Sequence, residues 1–405
     1  MTLNIRPVLS ALLRNRTGAM LVAAQVAIAL AVLVNAAYIS VQRFEKIHRP
    51  TGLDEPNLFV IESAGFTGRF HQGASVREDL AYLRGLSGVI AATATNSIPL
   101  SGGGNNDSIV TRPEATRTGY INDIEIDEQG LDTLGVKLIA GRNFRHEEIQ
   151  PPLTKNDISS FVPEIIVSRA LGEHLFPHES PLGRQVYDAQ NHAATIIGVV
   201  DPVMGTFPDS MHPDWVFFLP RMPDEFIVVR YLVRTAPGQR DTVMREAEAH
   251  LAQSNPERVV NYVRPLSYFK NLSYLGDSSM EIYLLTVTGL VIAVTCLGIF
   301  ALATFNVSTR TRQIGTRRAV GARRADIVSY FLIENGLITS AGVLLGCALA
   351  LAAGYWLSLH YALPRLDLYY LIGGVLALWA IGQLAAWQPA RRAAAVPPSV
   401  ATRTV

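Results

Sequence analysis

Cysteine is nearly absent from this 405-residue sequence, and charged residues are scarce. Cys296 and Cys347 both lie inside apolar runs, so we expect two small core residues and no disulfide framework. Charged residues make up 17% of the chain, against roughly 25% in a soluble protein. This shortage of charge, together with 49% hydrophobic residues, indicates membrane-spanning segments.

Motifs for catalysis, metal binding and nucleotide binding are missing as well. The sequence contains no Gly-x-Ser-x-Gly, His-Glu-x-x-His, Cys-x-x-Cys or Walker motif. The glycines of residues 101–107 lack the lysine that follows a phosphate-binding loop. His174 and His178 have a helical zinc-ligand spacing, but Pro177 would disturb that helix. We therefore expect no catalytic, metal or cofactor site on this chain.

Four apolar stretches are long enough to cross a membrane, because a helix needs about 20 apolar residues to span the hydrocarbon layer. They cover residues 18–41, 282–305, 336–359 and 369–388. The first exceeds the apolar core of a signal peptide, and no clear small-x-small cleavage site follows it. We interpret it as a retained anchor.

Arginine flanks these stretches unevenly, and the positive-inside rule converts that bias into an orientation. The arginine-rich flanks are residues 1–17, 306–335 and 389–405. We predict that these face the cytoplasm. Residues 42–281, where Asp and Glu outnumber Lys and Arg, and the link 360–368 are predicted to lie outside. The arginines behind this prediction are Arg6, Arg14, Arg16, Arg310, Arg312, Arg317, Arg318, Arg323, Arg324, Arg391, Arg392 and Arg403, with Arg365 alone in the link.

The outside region reads as a mixed α+β domain over residues 42–266, followed by a stalk at 267–281 that extends the second span. Apolar residues from Val76 to Leu86 and from Arg240 to Ala252 recur at helical spacing. The alternating segment Tyr120–Asp127 predicts a half-buried strand. Further strands are predicted at Asn57–Ser63, Ala193–Val200, Glu225–Arg234 and Arg258–Val263.

The most informative stretch is Asn306–Glu334, NVSTRTRQIGTRRAVGARRADIVSYFLIE. Its arginines fall on several faces, while apolar residues such as Ile327 and Phe331 offer contacts. Asp326 suits the first turn of a helix that leads into the third span. The residues alone leave two interpretations open: a short cytoplasmic helix with a function, or arginines that only fix the topology.

The same stretch resembles the signature of FtsX/MacB-type permeases of ABC transporters. Gln313 departs from the glutamate that is common in that family. YLRGLSGVIAATATNSIPLSGG, LDTLGVKLIAGRNF, IIVSRALGEHLFPHESPLGRQV and PARRAAAVPPSVATR are similar to other landmarks of the family. The resemblance implies an ATPase-coupling segment at residues 306–335. Its candidate contact residues are Arg310, Arg312, Gln313, Ile314, Gly315, Arg317, Arg318, Gly321, Arg323, Arg324 and Glu334.

The implied fold is a membrane protein of four transmembrane α-helices with a mixed α+β extracytoplasmic domain of two lobes, the second inserted at about residues 136–224. The implied function is that of a non-catalytic permease in a bacterial inner membrane that transmits ATP-driven motion outward for export of a peptide, an antibiotic or a similar cargo. Because no Walker motif is present, ATP and Mg²⁺ are expected on a separate ATPase dimer. Further expected partners are a second permease, identical or sibling, and an adaptor with an outer-membrane channel.

Three other functions compete with export. Relatives of the FtsX type regulate a cell-wall hydrolase, and others release lipoproteins. A sensory receptor is disfavoured, because only a short tail follows the fourth span and no output module is visible in it. Within the spans, Gln25, Asn35 and Gln383 are polar but not ionisable. We predict that they hydrogen-bond across helix interfaces and do not line a substrate path.

Overall fold

The computed structural model describes residues 16–67, 70, 72–115, 120–151, 162–223, 228–361 and 366–397. The chain divides into a membrane unit, Met1–His48 with Asp277–Val405, and an α/β unit, Arg49–Gly276. Of the residues used to predict topology, Arg6, Arg14, Arg365 and Arg403 lie outside the described residues.

The α-helices of the described residues are α1 (Arg16–His48), α2 (Gln72–Gly85), α3 (Gly130–Leu134), α4 (Arg169–Leu175), α5 (Arg240–Ser254), α6 (Leu266–Ser273), α7 (Leu275–Thr309), α8 (Thr311–Ala319), α9 (Arg324–Tyr361) and α10 (Leu368–Ala394). The strands are β1 (Leu58–Gly65), β2 (Val89–Thr95), β3 (Asn106–Asp107), β4 (Ile121–Ile126), β5 (Leu138–Gly141), β6 (Glu164–Ser168), β7 (Gln185–Tyr187), β8 (Ala193–Val200), β9 (Val216–Pro220), β10 (Val228–Thr235) and β11 (Arg258–Pro265).

The four predicted spans are confirmed as α1, α7, α9 and α10, which are long and apolar enough to cross a membrane. Each helix is longer than its predicted span. The 35 residues of α7 correspond to about 52 Å at 1.5 Å per residue, against roughly 30 Å of hydrocarbon. The helices therefore extend beyond the bilayer core and carry polar residues at their ends.

Close backbone contact joins α1 to α9. A Cβ atom on Gly342 would lie 2.7 Å from the Ala23 carbonyl oxygen, and one on Gly346 would lie 3.0 Å from that of Ala27. These glycines are four residues apart, the spacing that lets membrane helices approach closely. Leu30 of α1 is fully buried in the resulting core. Helix α10 packs against both α1 and α9.

Helix α7 is packed far less tightly. Its buried residues are Asp277 near its start, Thr295 and Ile299 in the middle, and Asn306 near its end. Most of its large apolar side chains, including Leu285, Leu290 and Leu297, are exposed. In a bilayer these side chains contact lipid or another protein, so few contacts within the membrane hold α7 against the other helices.

The α/β unit contains two sheets. The first is antiparallel, with the order β11-β1-β10-β2. The second is mixed and follows the order β3-β4-β9-β6-β8-β5, with β7 paired to β8. All of its strands lie in the sequence between β2 and β10. The inserted part therefore begins soon after Thr95, and the predicted insert, 136–224, starts about forty residues too late.

The two sheets share one apolar core. Leu58, Val60 and Leu232 of the first sheet join Ile124 and Phe218 of the second. Helices α2 and α5 cover the other face of the first sheet through Val76, Leu80, Leu83, Val243, Ala247 and Leu251. The far side of the second sheet has a core of its own with Leu171 of α4. The two expected lobes are thus two layers of one packed body.

The predicted stalk, 267–281, is divided between the two units. Residues 266–273 form α6, whose Leu266 and Phe269 are buried in the shared core. Lys270 Nζ lies 3.0 Å from Glu55 Oε2. Only residues from Leu275 onward extend the membrane helix. Helix α6 therefore packs its apolar face on the α/β unit and is not part of the extension of the membrane helix.

Strand β4, predicted to be half-buried, is a third correction, since all six of its residues are buried. Its polar side chains are satisfied inside the unit, apart from Asp123. Asn122 Oδ1 accepts hydrogen bonds from the Thr206 and Phe207 amides at 2.9 and 3.2 Å. Asp123 Oδ2 accepts from Asn96 Nδ2 at 3.3 Å, while Oδ1 has no hydrogen-bond partner among the described residues. Burial, with a smaller contribution from Asp107, raises the pKa of Asp123 to about 7.

The raised pKa of Asp123 predicts that the protein loses stability as pH rises from about 4 to about 7. Over this range the folded state keeps a proton that the unfolded state has released. Asp123→Asn carries no ionisable proton, so its melting temperature should exceed that of the wild type at pH 8 and approach it at pH 4. Each unit of pKa shift corresponds to about 1.4 kcal/mol.

Thermal unfolding of the full chain in detergent measures this difference. The matched control is Asp241→Asn, because Asp241 is an exposed residue of α5. If Asp123→Asn and Asp241→Asn show the same pH profile, Asp123 is ionised in the folded state at neutral pH and the prediction is wrong.

Candidate coupling segment and the ends of helix α7

The coupling segment, residues 306–335, folds as a helical hairpin between two membrane helices. Helix α8 ends at Ala319, and Gly321 adopts φ +103°, a conformation that favours glycine. The amide of Arg323 then donates to Asp326 Oδ2 at 2.9 Å, next to the start of α9. Asp326 therefore places a carboxylate in the first turn of α9, where it interacts favourably with the helix dipole.

One face of α8 is buried against both membrane-helix neighbours. Ile314 packs with Ile327 and Phe331 of α9 and with Ala390 and Ala393 of α10. Small alanines at the end of α10 let α8 lie close. Helix α10 continues to Ala394, so the predicted tail, 389–405, begins as helix and forms part of this packing.

Polar contacts also hold α8 and the end of α7 against α9 and α10. Arg310, directly after α7, donates from Nη1 to Glu334 Oε2 on α9 at 2.9 Å. The Glu334 side chain is only 3% exposed, so the ion pair is largely shielded from water. Arg318 Nη1 donates to the Ala394 carbonyl oxygen, and the Arg317 guanidinium lies 4.9 Å from the centre of the Tyr330 ring. The end of α7 is thereby fixed to α8, α9 and α10.

The opposite face of the hairpin is cationic and exposed. Arg312, Arg323 and Arg324 point outward, and no described carboxylate lies within ion-pair distance of them. Gln313 is exposed beside them, and Val320 at the hairpin tip is 84% exposed. An exposed valine surrounded by unpaired arginines is a surface suited to an acidic protein partner.

The candidates thus fall into two structural groups. Arg310, Ile314, Gly315, Arg318 and Glu334 face inward and hold the hairpin on the membrane helices. The outward group comprises Arg312, Gln313, Gly321, Arg323 and Arg324, with Arg317 exposed while stacked on Tyr330. The sequence pattern contained both groups but could not separate them, because three helices have to meet before a face becomes buried.

A second ionic cluster lies at the other end of α7. Asp277 Oδ2 lies 2.8 Å from Lys46 Nζ, and Oδ1 accepts from Arg43 Nη1. The Asp277 side chain is 10% exposed, and both cations belong to α1. Sequence analysis missed this cluster. The sequence signal that could have revealed the cluster is an acid just before the second span and two bases just after the first span.

Polar residues also connect helices inside the membrane unit. Asn35 Nδ2 donates to the Ala350 carbonyl oxygen of α9 at 3.2 Å. Gln25 packs beside Gly298 of α7, and Gln383 packs beside Gly336 of α9. Nε2 of Gln383 is buried with no hydrogen-bond partner among the described residues, so the predicted hydrogen bond across a helix interface is described for Asn35 and not for Gln383. Asn335, which the sequence analysis did not select, donates to the Gly382 carbonyl oxygen at 2.9 Å.

Comparisons with known proteins agree with this arrangement. The family model described as MacB-like periplasmic core domain matches residues 20–250. The model described as FtsX-like permease C-terminal matches residues 285–398, which include the coupling segment.

Individual relatives are distant. The uncharacterized ABC transporter permease YknZ of Bacillus subtilis is 25% identical over 332 residues, covering 80% of this chain and 78% of that protein. The macrolide export ATP-binding/permease protein MacB of Neisseria gonorrhoeae is 23% identical over 280 residues, covering 67% of this chain. The match spans only 42% of that MacB.

Among solved structures, the periplasmic region of MacB from Actinobacillus actinomycetemcomitans matches 55% of this chain and 94% of its own, with 15% identity and a TM-score of 0.35. The extracellular domain of YknZ matches 50% of this chain and all of its own, with 18% identity and a TM-score of 0.32.

The ionic cluster at Asp277 yields a prediction about the start of α7. Asp277→Asn removes the charge that holds Arg43 and Lys46, and hydrogen bonds to charged groups contribute about 1.5–3 kcal/mol. We expect amide hydrogen exchange in residues 275–281 of the full chain to become about tenfold faster or more.

The control for this measurement is Glu281→Gln, which neutralises an acid on the same helix with no described ion-pair partner. Exchange that stays at the wild-type rate in Asp277→Asn would show that the cluster does not hold the start of α7.

Proposed function

The chain belongs to the family that joins a MacB-like periplasmic core domain to an FtsX-like permease domain, and we propose that it is an ABC transporter permease driven by an ATPase on a separate chain. The single observation that carries this proposal is the two-faced hairpin of the coupling segment. Its inner face is fixed to three membrane helices, while its outer face leaves arginines and a valine exposed.

The proposed docking partner is an ATPase with an acidic, partly apolar groove. Arg312, Arg323 and Arg324 supply long-range attraction, which accelerates encounter and falls with salt concentration. Val320 at the tip supplies an apolar contact at the centre of the interface. Gln313, where the family commonly has glutamate, contributes a neutral hydrogen-bonding group at this surface.

The contacts support a proposed path by which ATPase motion reaches the α/β unit. In this path, a displacement of α8 acts on the end of α7 directly through the chain at Arg310, which the ion pair with Glu334 also ties to α9. The long helix α7 carries it across the membrane without a described break. At the far end Asp277 transmits it to α1, and the chain passes from α7 through Tyr274 to α6 of the α/β unit. In this mechanism force crosses the membrane, and cargo need not pass between the four helices.

The proposed cargo is a peptide, an antibiotic or a similar amphipathic molecule that is handled by the α/β unit. The name of the MacB relative specifies macrolide export, and this motivates the antibiotic class. Regulation of a cell-wall hydrolase and release of lipoproteins remain the alternatives, since both use the same force path.

We further propose a second permease, identical or sibling, beside the exposed face of α7, with ATP and Mg²⁺ bound by the ATPase dimer. For the export function, we also propose a periplasmic adaptor and an outer-membrane channel as partners.

The proposed location is a bacterial inner membrane with both termini and the coupling segment in the cytoplasm. Single cysteines at Ser101 and Thr309, in a background without Cys296 and Cys347, should react with an impermeant thiol reagent from opposite sides of the membrane. The arginine bias sets this orientation. Labelling of both positions from the same side would contradict the topology.

The docking proposal predicts that Arg312→Glu combined with Arg323→Glu abolishes recovery of an ABC ATPase. These side chains make no described side-chain contact, so the reversal should change partner binding and leave the hairpin folded. Affinity purification from the native host in mild detergent, followed by mass spectrometry, measures the recovery. We expect at least a tenfold loss relative to the wild-type chain.

The matched control carries Arg391→Glu and Arg392→Glu, two exposed arginines at the end of α10. It has the same net charge on the same side of the membrane, so ATPase recovery should persist. Equal recovery in both double variants would mean that the outward arginines serve only topology.

A further inference from the structure

A cavity of about 390 Å³ lies in the α/β unit and has no place in the coupling mechanism. One of its walls is a single face of α2, because the residues there are three or four positions apart: Gly73, Arg77, Leu80 and Arg84. The volume lies within the range of about 300–1,000 Å³ that is usual for small-molecule sites.

Hydrogen bonds and an ion pair hold the walls of this cavity in place. The Met222 amide, on another wall, donates to the Gln150 carbonyl oxygen at 3.2 Å. Arg84 donates to the Ala92 carbonyl oxygen from Nε at 3.0 Å and from Nη2 at 2.8 Å. Its Nη2 also forms an ion pair with Asp127. The cavity is therefore shaped before a ligand enters it, which lowers the cost of binding.

Two other charged groups that line the cavity lack a strong partner. Arg77 is exposed, and no described carboxylate lies within 4.0 Å of its guanidinium. The Glu128 carboxylate accepts no hydrogen bond from the described residues; its oxygens lie 4.0 Å from Arg84 Nη1 and 3.5 Å from His146 Nδ1. Because Asp127 already neutralises Arg84, Glu128 can receive a ligand cation while Arg77 receives an anion.

The spacing of these two charges sets the length of the ligand. Arg77 and Arg84 are seven residues apart, which is about 10 Å along α2 at 1.5 Å per residue, and Glu128 lies beside Arg84. An extended peptide advances about 3.3–3.6 Å per residue, so about three residues cover this distance. Gly73, in the first turn of α2, lies at the Arg77 end, where the helix dipole also favours the anion.

We propose that this cavity binds a short peptide of about three residues with both termini free. The terminal ammonium donates to the Glu128 carboxylate, and the terminal carboxylate accepts from the Arg77 guanidinium, which suits two parallel hydrogen bonds. Between the charges, Leu80, Ile149 and Met222 line the cavity and provide apolar surface for the peptide side chains. The thioether of a methionine adapts well to such irregular contacts.

This site goes beyond the proposed function, since none of its residues belongs to the coupling segment or to the ionic clusters at the ends of α7. Peptide binding is measured without an ATPase. Loss of peptide binding with normal ATPase recovery, or the reverse, therefore separates the two proposals.

The test measures binding of the tripeptide Ala-Leu-Ala to the full chain in detergent by isothermal titration calorimetry. The free tripeptide should bind about tenfold or more tightly than its N-acetylated or C-amidated form, because each modification removes one charged contact. The dipeptide Ala-Leu and the pentapeptide Ala-Leu-Ala-Leu-Ala should bind about fivefold or more weakly, because their termini do not match the spacing of the two charges.

Substitutions identify the partner of each terminus. Arg77→Gln should weaken binding of the free tripeptide about tenfold and leave binding of the amidated form unchanged. Glu128→Gln should weaken the free tripeptide by a similar factor and leave the acetylated form unchanged. The matched controls are Arg245→Gln and Glu78→Gln, exposed residues that do not line the cavity, and both should keep the wild-type affinity.

Equal binding of the free, acetylated and amidated tripeptides would overturn the proposal, as would no binding to the wild type or wild-type affinity in Arg77→Gln and Glu128→Gln. An ω-amino acid of the same length has both charges but no peptide groups, and it should bind more weakly. Equal binding of this compound would assign the cavity to any long zwitterion and overturn the peptide class. Melting curves identify a variant that fails to fold, and the modified tripeptides then test the same contact on the wild type.

Discussion

The rest of the membrane unit depends on how α7 is held. Inside the bilayer this helix buries few side chains, and most of its apolar surface faces outward. Its ends are fixed by charge: Asp277 pairs with two cations of α1, and Arg310 pairs with the shielded carboxylate of Glu334. Ion pairs at both ends with sparse packing between them allow a helix to tilt as a rigid rod, because tilting breaks little buried apolar contact.

The other membrane helices pack against one another far more closely than α7 packs against them. Glycines at positions 342 and 346 bring α9 into backbone contact with α1, and substitution of either would place a Cβ within about 3 Å of a carbonyl oxygen. Close packing over a long contact resists shear. Helix α8 rests on α9 and α10 through Ile314, and its chain begins directly after Arg310 at the base of α7.

The α/β unit is one packed body. Its two sheets share a single core, and α6, the last helix before the membrane, is buried in that core through Leu266 and Phe269. A buried ion pair between Asp79 and Arg258, joined by the Tyr231 hydroxyl at 2.6 Å, ties α2 to strands β10 and β11. Helix α6 is therefore rigidly joined to the sheets.

Hydrophobic runs and arginine bias by themselves determined the four spans and the predicted orientation, since a bilayer imposes its thickness and charge rules on any sequence. The candidate coupling segment was recognised from its local arginine and glycine pattern, which resembles a family signature. Only the tertiary structure decided which arginines brace the hairpin and which stay free, that β4 is buried on both faces, and that the second sheet begins soon after Thr95. These features depend on residues far apart in sequence, such as Arg43 with Asp277 or Asn122 with Thr206, and no local pattern encodes which of them meet.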